Sequence, residues 1–361
     1  MTGSPWSVSA SGHLPIPLRH CLEAAVAAPS IHNSQPWRFR LDADGVIDVY
    51  VDHSRRLAVV DPRGREALIS VGAAVFNLRV AMLAHGRAPM VRLLPAADHP
   101  DLAARVIVGP RTRITGTARL LAHAIPLRRT NRRPFDETPL PREVLTDLAD
   151  AASVEGGTLV QVDPTVRDAV LGLVRTAELR RRNEPAYQAE LADWTAQANG
   201  RSDGIPPEAY GPWSAMEAVP LRDFGLIQPG RRRAVRTFEI EPTIALLYSA
   251  GDSREDWLRA GQALERTLLT ATARSVATTL MTQPLEIPEL RELIADPRTG
   301  WQPQAIIRFG YGPPSPPTPR RPLEEVTEVP AMAPATGARA GAPGADRHHE
   351  AMVPPAPAHR P

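Results

Sequence analysis

Lysine is absent from all 361 residues, so the 42 basic side chains other than histidine are all arginine. Schiff-base enzymes, pyridoxal-phosphate enzymes and Walker-type phosphate loops all need a lysine amine and are excluded. Any anion site must be built from guanidinium groups, flat forks in place of compact point charges. Cys21 is the single cysteine. Disulfide frameworks, cysteine-rich zinc sites and CxxC redox pairs are excluded with it. Charge of one sign is also lacking: 42 basic residues face 40 acidic ones, a net charge of +2. A dedicated nucleic-acid binder would carry a concentrated basic excess. No run of 18 apolar residues occurs, and the N-terminal MTGSPWSVSASG has neither the basic nor the apolar region of a secretory signal. These absences predict a soluble, cytoplasmic protein without a membrane or nucleic-acid partner.

Familiar catalytic signatures are missing too: there is no GxSxG, HExxH, EF-hand loop or GxGxxG. Gly310-Tyr311-Gly312 runs into Pro313-Pro314, which removes the third glycine and the helix that dinucleotide binding requires. His348 and His349 sit in the tail with no third ligand held nearby, so no metal site is expected.

What is present is ordinary globular material, 43% hydrophobic and 23% charged, long enough for two domains or one large one. Leu68, Val71, Val75, Leu78 and Met82 form one helical stripe; Leu264, Leu268, Ala271 and Ser275 suggest a second. Asp163-Pro164 is a helix start. β-branched and aromatic content predicts strands at 47–51, 105–108, 158–162, 244–248 and 304–309. Helices packed on a sheet, an α+β fold, follow from this mixture. Between Glu184 and Arg236 the periodicity fades into a glycine- and proline-rich insertion with Trp194, Tyr210, Trp213 and Phe224. Such an insertion reads either as a lid or as a surface excursion. From Pro313 onward, 13 of 49 residues are proline, and about 329–361 is expected to be disordered.

Three segments carry candidate binding groups. The first is Ala28-Pro29-Ser30-Ile31-His32-Asn33-Ser34-Gln35-Pro36-Trp37. Two prolines stiffen it, and its amides suit a heterocycle edge with alternating donors and acceptors. A capped turn anchored by Trp37 would use the same residues. The second is Arg128-Arg129-Thr130-Asn131-Arg132-Arg133-Pro134-Phe135, where guanidinium forks beside a hydroxyl make a phosphate clamp. The third is Pro319-Arg320-Arg321-Pro322. Arg180–Arg182 and Arg231–Arg233 read as solvated faces.

Taken together, the three segments resemble the nitroreductase-like flavoprotein family, whose members bind FMN. APSIHNSQPW is similar to that family's PSxxNxQPW loop, RRTNRRPF to its RRS-x-R-x-F opening, and GYGPPSPPTPRRPLEEV to its closing GxP…RRP-x-x-E. DPRGREALISVGAAVFNLRVA and MTQPLEIPELREL resemble the Acg-type branch of NAD(P)H nitroreductases. The resemblance spans about Leu14 to Glu328. It implies a nitroreductase-like fold in which helices pack on antiparallel-rich sheets.

The order of the segments departs from the family's. PSIHN stands near the start, RRT begins only at Arg128, and Ala152-Ser153-Val154-Glu155-Gly156 stands where a second PSxxN belongs. Two fused halves are therefore expected, about 14–120 and 121–328, forming an internal pseudo-dimer with one FMN per chain; 1–13 is an extension. The resemblance assigns Arg128, Arg129, Thr130, Arg320 and Arg321 to the phosphate and ribityl chain. It lays Pro29, Ser30, Ile31, His32 and Asn33 against the flavin ring and puts Thr282 and Gln283 near its N5. Gln35 and Trp37 are read as structural. No side chain is assigned as catalytic, because the flavin itself carries hydride. The implied activity passes hydride from NAD(P)H, a transient reductant, through FMN to a nitroaromatic or quinone-like acceptor. Alternatives are an FMN storage protein closed by the insertion, or a chain without flavin that presents its proline-rich tail to a partner. The chain is a monomer with internal pairing or a homodimer.

Overall fold

The computed structural model describes Trp6 and residues 14–42, 45–195, 201–214, 218–227 and 233–329. The expected tail lies outside the described residues from Pro330 onward, as does most of the N-terminal extension.

The first part of the chain runs α1 (Ile16–Val26), β1 (Trp37–Leu41), β2 (Val46–Val51), α2 (Arg65–Ala84), β3 (Arg87–Leu93) and β4 (Leu102–Arg111). α3 (Gly116–Ala124) follows. The second part runs α4 (Arg142–Val154), β5 (Thr158–Gln161), α5 (Pro164–Arg181), α6 (Pro185–Thr195), β6 (Trp213–Ser214), β7 (Val235–Arg236) and β8 (Thr243–Ser249). It closes with α7 (Arg254–Ala273), β9 (Ala277–Leu280), α8 (Pro288–Glu292), β10 (Gln302–Gly310), α9 (Leu323–Val326) and β11 (Thr327–Glu328).

With α5 to β7 and the short α8 set aside, α1 to β4 and α4 to β10 both read helix, strand, strand, helix, strand, strand. Their sheets repeat the same spatial order: β1-β2-β4-β3 in one, β5-β8-β10-β9 in the other, all neighbours antiparallel. The one addition is β11, which crosses back from the end of the chain to pair in parallel with β1. Strand assignments from β-branched content hold within a few residues at each end. Ser275 falls beyond the end of α7, in the left-handed region at φ 58°, and is not part of the helical stripe.

α2 and α7 lie against each other in the centre, and the contact is reciprocal. A Cβ on Gly72 would overlap the Leu258 carbonyl oxygen and stand 3.1 Å from the Gly261 Cα. A Cβ on Gly261 would overlap the Ile69 carbonyl oxygen and stand 3.0 Å from the Ala73 nitrogen. Each helix thus offers an aliphatic residue and, three positions on, a glycine, and meets the same pair on the other. Such mutual contact is the mark of a two-fold, self-complementary interface. α2 is the one described helix long and apolar enough to cross a membrane, yet its residues are buried in this protein.

α7 begins with a capping box: Ser253 Oγ accepts from the Asp256 amide, and Asp256 accepts from the Ser253 amide at 2.9 Å. Ser253→Ala should lower stability by about 1 kcal/mol in urea unfolding. Cys21 is fully buried in α1, and burial pushes its thiol up to about 12. A thiol reagent should label no cysteine in the native protein and one after denaturation.

Candidate functional site

The proline-bounded loop after α1 is held in a costly backbone shape. His32, Asn33 and Gln35 have φ of 47°, 54° and 50°, a left-handed cluster of non-glycine residues. Each such residue costs on the order of 1–3 kcal/mol unless its surroundings impose it. Here three distant segments do so. Ser30 Oγ accepts from the Gln35 amide at 2.9 Å, and Ser70 Oγ of α2 accepts from the Ile31 amide at 3.3 Å. Asn33 Nδ2 donates to the carbonyls of Gly204 and Pro319, both at 3.0 Å, and Asn33 Oδ1 accepts from Arg320 at 2.9 Å. Gln35 Nε2 donates to the Ser202 carbonyl at 2.9 Å, while its Oε1 accepts from the Arg321 amide at 2.8 Å. Asn33 and Gln35 therefore tie the loop to the insertion and to the C-terminal segment. The Asn33 amide is spent on these bonds and acts on the site by positioning.

The loop forms one wall of a slot with about 1020 Å³ of space, mouth included. Ile69, Ser70 and Ala73 of α2 and Leu264 of α7 line it, so it lies along the contact of the two central helices. The insertion contributes Ile205, Leu221, Arg222 and Phe224 to the slot's lining.

One end is densely cationic. Arg128 is 3% exposed; its Nη2 donates to the Ala27 carbonyl at 3.4 Å. Arg320 Nη2 donates to the carbonyls of Ala27 and Ala28, both at 3.3 Å. Both guanidiniums thus meet at the C-terminal end of α1, where carbonyls and the helix dipole favour positive charge. Arg129 is beside them, donating to the Arg128 carbonyl at 2.7 Å. Burial, together with Arg128 and Arg129, brings Arg320 down to about 9. The nearby carboxylate is that of Glu265, 3.6 Å from Arg128 Nε, and burial raises it to about 7 despite Arg128. The Nε atoms of Arg128 and Arg320 are buried without a hydrogen-bond partner among the described residues. Three cations with one weakened anion, and donors left open, form a site short of negative charge.

The other end is mixed. His32 is buried, edge-on to Phe224 at 5.3 Å, with neither ring nitrogen hydrogen-bonded among the described residues. Burial and the charges of Arg222 and Arg132 hold its pKa well below the ordinary value, so the ring is neutral. The Arg132 guanidinium lies over Phe224 at 4.6 Å and donates to the Ala209 carbonyl at 3.0 Å; among the described residues no carboxylate pairs with it. Arg222 donates to Tyr187 Oη at 3.0 Å and Thr282 Oγ1 at 3.3 Å, and pairs with Glu286.

Of the residues picked out from sequence, Pro29, Ser30, Ile31, His32, Asn33, Arg128, Arg129, Thr130, Thr282 and Arg320 line this one slot. Gln283 and Arg321 do not. Gln283 is turned into the protein interior, 2% exposed. Arg321 points the other way from Arg320, toward Asp52 at 3.7 Å and Glu325 at 3.5 Å. Successive residues of an extended segment face opposite sides, so one arginine of the doublet was bound to leave the slot. Arg233 and Arg181 also depart from the solvated reading: Arg233 pairs with Asp223 at 2.6 Å and stacks over Trp213, and Arg181 pairs with Glu184 at 2.8 Å. Sequence reasoning missed Glu66 and Ser70 in the wall. Their signal was a polar pair four residues apart, which falls on one face of a helix. Among the described residues no group of acids, histidines or cysteine could hold a metal ion.

Comparison with known proteins adds the following. The family described as "Nitroreductase family" matches residues 126–311. A Mycobacterium tuberculosis protein named "Putative NAD(P)H nitroreductase acg" is 34% identical over 322 residues, spanning 86% of this chain and 95% of its own. An uncharacterized protein of the same organism is 33% identical over 303 residues, 82% of this chain and 87% of that one. Among solved structures, the FMN-dependent nitroreductase NfnB of Mycobacterium smegmatis, in complex with NADPH, is similar at 16% identity. That match covers 58% of this chain and 98% of NfnB, with a TM-score of 0.36.

Proposed function

The chain belongs to the nitroreductase family, and we propose that it binds one FMN in the slot and passes hydride from NAD(P)H through it to nitroaromatic or quinone-like acceptors. The α+β architecture, helices on antiparallel-rich sheets, is that of the family. The observation that carries the proposal is the cluster of Arg128, Arg129 and Arg320, with two buried Nε donors that have no hydrogen-bond partner among the described residues. A phosphate supplies the missing negative charge and accepts those donors. The fit is therefore good at that end. Thr130 and Ser30 line the slot beside the cluster and suit a ribityl chain.

At the far end, a fused ring would lie between the 29–33 loop and Thr282, both of which line the slot. Bound there, FMN would supply the hydride chemistry. Arg132, with no carboxylate paired to it among the described residues, would balance negative charge building on the ring. His32, neutral and without a hydrogen-bond partner among the described residues, would have a nitrogen to donate or accept. The apolar walls from Ile69 and Leu264 exclude water from the ring face.

The two parts of the chain read as fused halves of an internal pseudo-dimer. Supporting this are the repeated sheet order and the reciprocal Gly72–Leu258 and Gly261–Ile69 contacts. The step that maps α2 onto α7 carries Ala73 of the slot to Gln262. There Arg79 pairs with Glu155 at 2.6 Å and bonds Gln262 at 2.7 Å, and Arg266 pairs with Glu155 at 3.1 Å. Ion pairs stand where a mirrored slot would be, which supports one cofactor per chain.

A second reading, FMN storage under a closed cover, is favoured by the way the insertion is tied down. Its Gly204 and Ser202 carbonyls take Asn33 and Gln35, and Glu190 accepts from the Val59 and Val60 amides at 2.8 and 2.9 Å. Anaerobic mixing of the yellow protein with NADH or NADPH separates the readings. Prompt bleaching supports the reductase. Resistance to both, with bleaching by dithionite, supports storage.

A further inference from the structure

Glu66, in the first turn of α2, lies where two cavities meet. It lines the slot, and it also lines an outer cavity with about 980 Å³ of space, mouth included, bordered by Asp61, Arg63, Leu285, Glu286 and Arg291. The side chain is buried; one oxygen pairs with Arg65, and no hydrogen bond reaches the other among the described residues. The charged groups facing it are Arg65 from its own helix, Asp61 from the preceding loop, Glu286 from the segment after β9, and Arg222 from the insertion. On the slot side, Ile205, Leu221 and Phe224 stand between the interior and the insertion's outer surface.

From this geometry we propose that Glu66 donates the proton that accompanies hydride to an acceptor held in the slot, and is recharged from the outer cavity. The proposal rests on the FMN reductase reading. Reducing a quinone-like acceptor takes one hydride, two electrons with it, and one proton. The hydride comes by way of the cofactor from NAD(P)H, which is oxidised. The O–H bond of Glu66 breaks, and its proton bonds to the acceptor oxygen that gains charge, giving the hydroquinone. The carboxylate left behind takes a proton from water in the outer cavity. Burial, opposed by Arg65 and aided by Asp61 and Glu286, pushes the Glu66 carboxyl up to about 7. Both protonation states are then populated near neutrality, which suits a proton donor.

The test follows the oxidative half-reaction alone. The purified yellow protein is reduced anaerobically with dithionite and mixed with menadione in a stopped-flow instrument. Glu66→Gln keeps the shape and removes the proton. It should keep its FMN and be reoxidised about 100-fold more slowly, with the pH dependence near 7 lost. Glu66→Asp should recover part of the rate. An oxidised-minus-reduced infrared difference spectrum should show a carboxylic C=O band in the parent protein that is missing from Glu66→Gln. Reoxidation of Glu66→Gln at the parent rate with the parent pH profile overturns the proposal. So does the absence of that band in the parent protein, a result that needs no folded variant. Failure of the underlying reading looks different: the parent protein then retains no FMN.

Discussion

Arg128→Ala combined with Arg129→Ala should strip the chain of FMN. A charge-assisted contact in a desolvated site contributes roughly 1.5–3 kcal/mol, so losing two weakens affinity on the order of 10²–10⁴. In the free chain these guanidiniums repel each other: burial and then Arg128 lower the pKa of Arg129, and burial with Arg128 and Arg129 lowers that of Arg320. Removing them relieves that repulsion but leaves the buried Glu265 carboxyl without its Arg128 partner, so the variant should also unfold at a lower urea concentration than the parent. Arg321→Ala is the control. It removes one guanidinium from the segment that carries Arg320, but its side chain faces Asp52 and Glu325, and FMN should stay bound. Fluorescence titration of the apoprotein measures all three. Tight FMN retention by the double variant would place the phosphate elsewhere.

The second large effect lies in the central helix pair. Gly72→Ala or Gly261→Ala puts a methyl group into the facing backbone, where no flexible side chain can yield. The helices must separate, and each substitution should cost at the upper end of roughly 1–3 kcal/mol in urea unfolding. The double variant should lose less than the sum, because the first separation makes room for the second methyl. Ile69 and Ala73, which line the slot, lie on the same face of α2, so FMN content should fall as well. Gly116→Ala offers the opposite sign. Nothing lies within 4 Å of its Cβ position at the start of α3, and stability should rise by about 0.5–1 kcal/mol. Coupling between Gly72 and Gly261 is what their close approach requires, 3.1 Å from a Cβ on Gly72 to the Gly261 Cα. Independent, additive costs would argue against it.

Much of this was legible in the residues, and the physics says why. The strands announced themselves through alternating β-branched and aromatic side chains, as in Ile47–Val51, which alternates outward and inward in β2. The helix over Leu68–Met82 was visible as a stripe, although α2 is buried on nearly every side and so carries more apolar residues than one stripe needs. Ten of the twelve residues singled out for the cofactor line one slot, though they come from stretches up to 291 positions apart. Composition could not have joined them; the similarity of three separated segments to one family did.

What stayed hidden depends on three dimensions. Side-chain direction split Arg320 from Arg321. Asn33 looked like a ring contact, but its amide is consumed by Gly204, Pro319 and Arg320. Arg222 and Phe224 sit in a segment without periodicity, so nothing local marked them as part of the wall. The ion pairs of Glu155 with Arg79 and Arg266 bridge helices far apart in sequence, and no spacing rule points to them.

The most direct test is to titrate the apoprotein with FMN, and separately with riboflavin, following flavin fluorescence. Saturation at one FMN per chain, with riboflavin bound weaker by about 10² or more for want of its phosphate, is the expected result. Two equivalents of FMN, or equal affinity for the two flavins, would contradict a single cradle gripped at its anionic end by arginines.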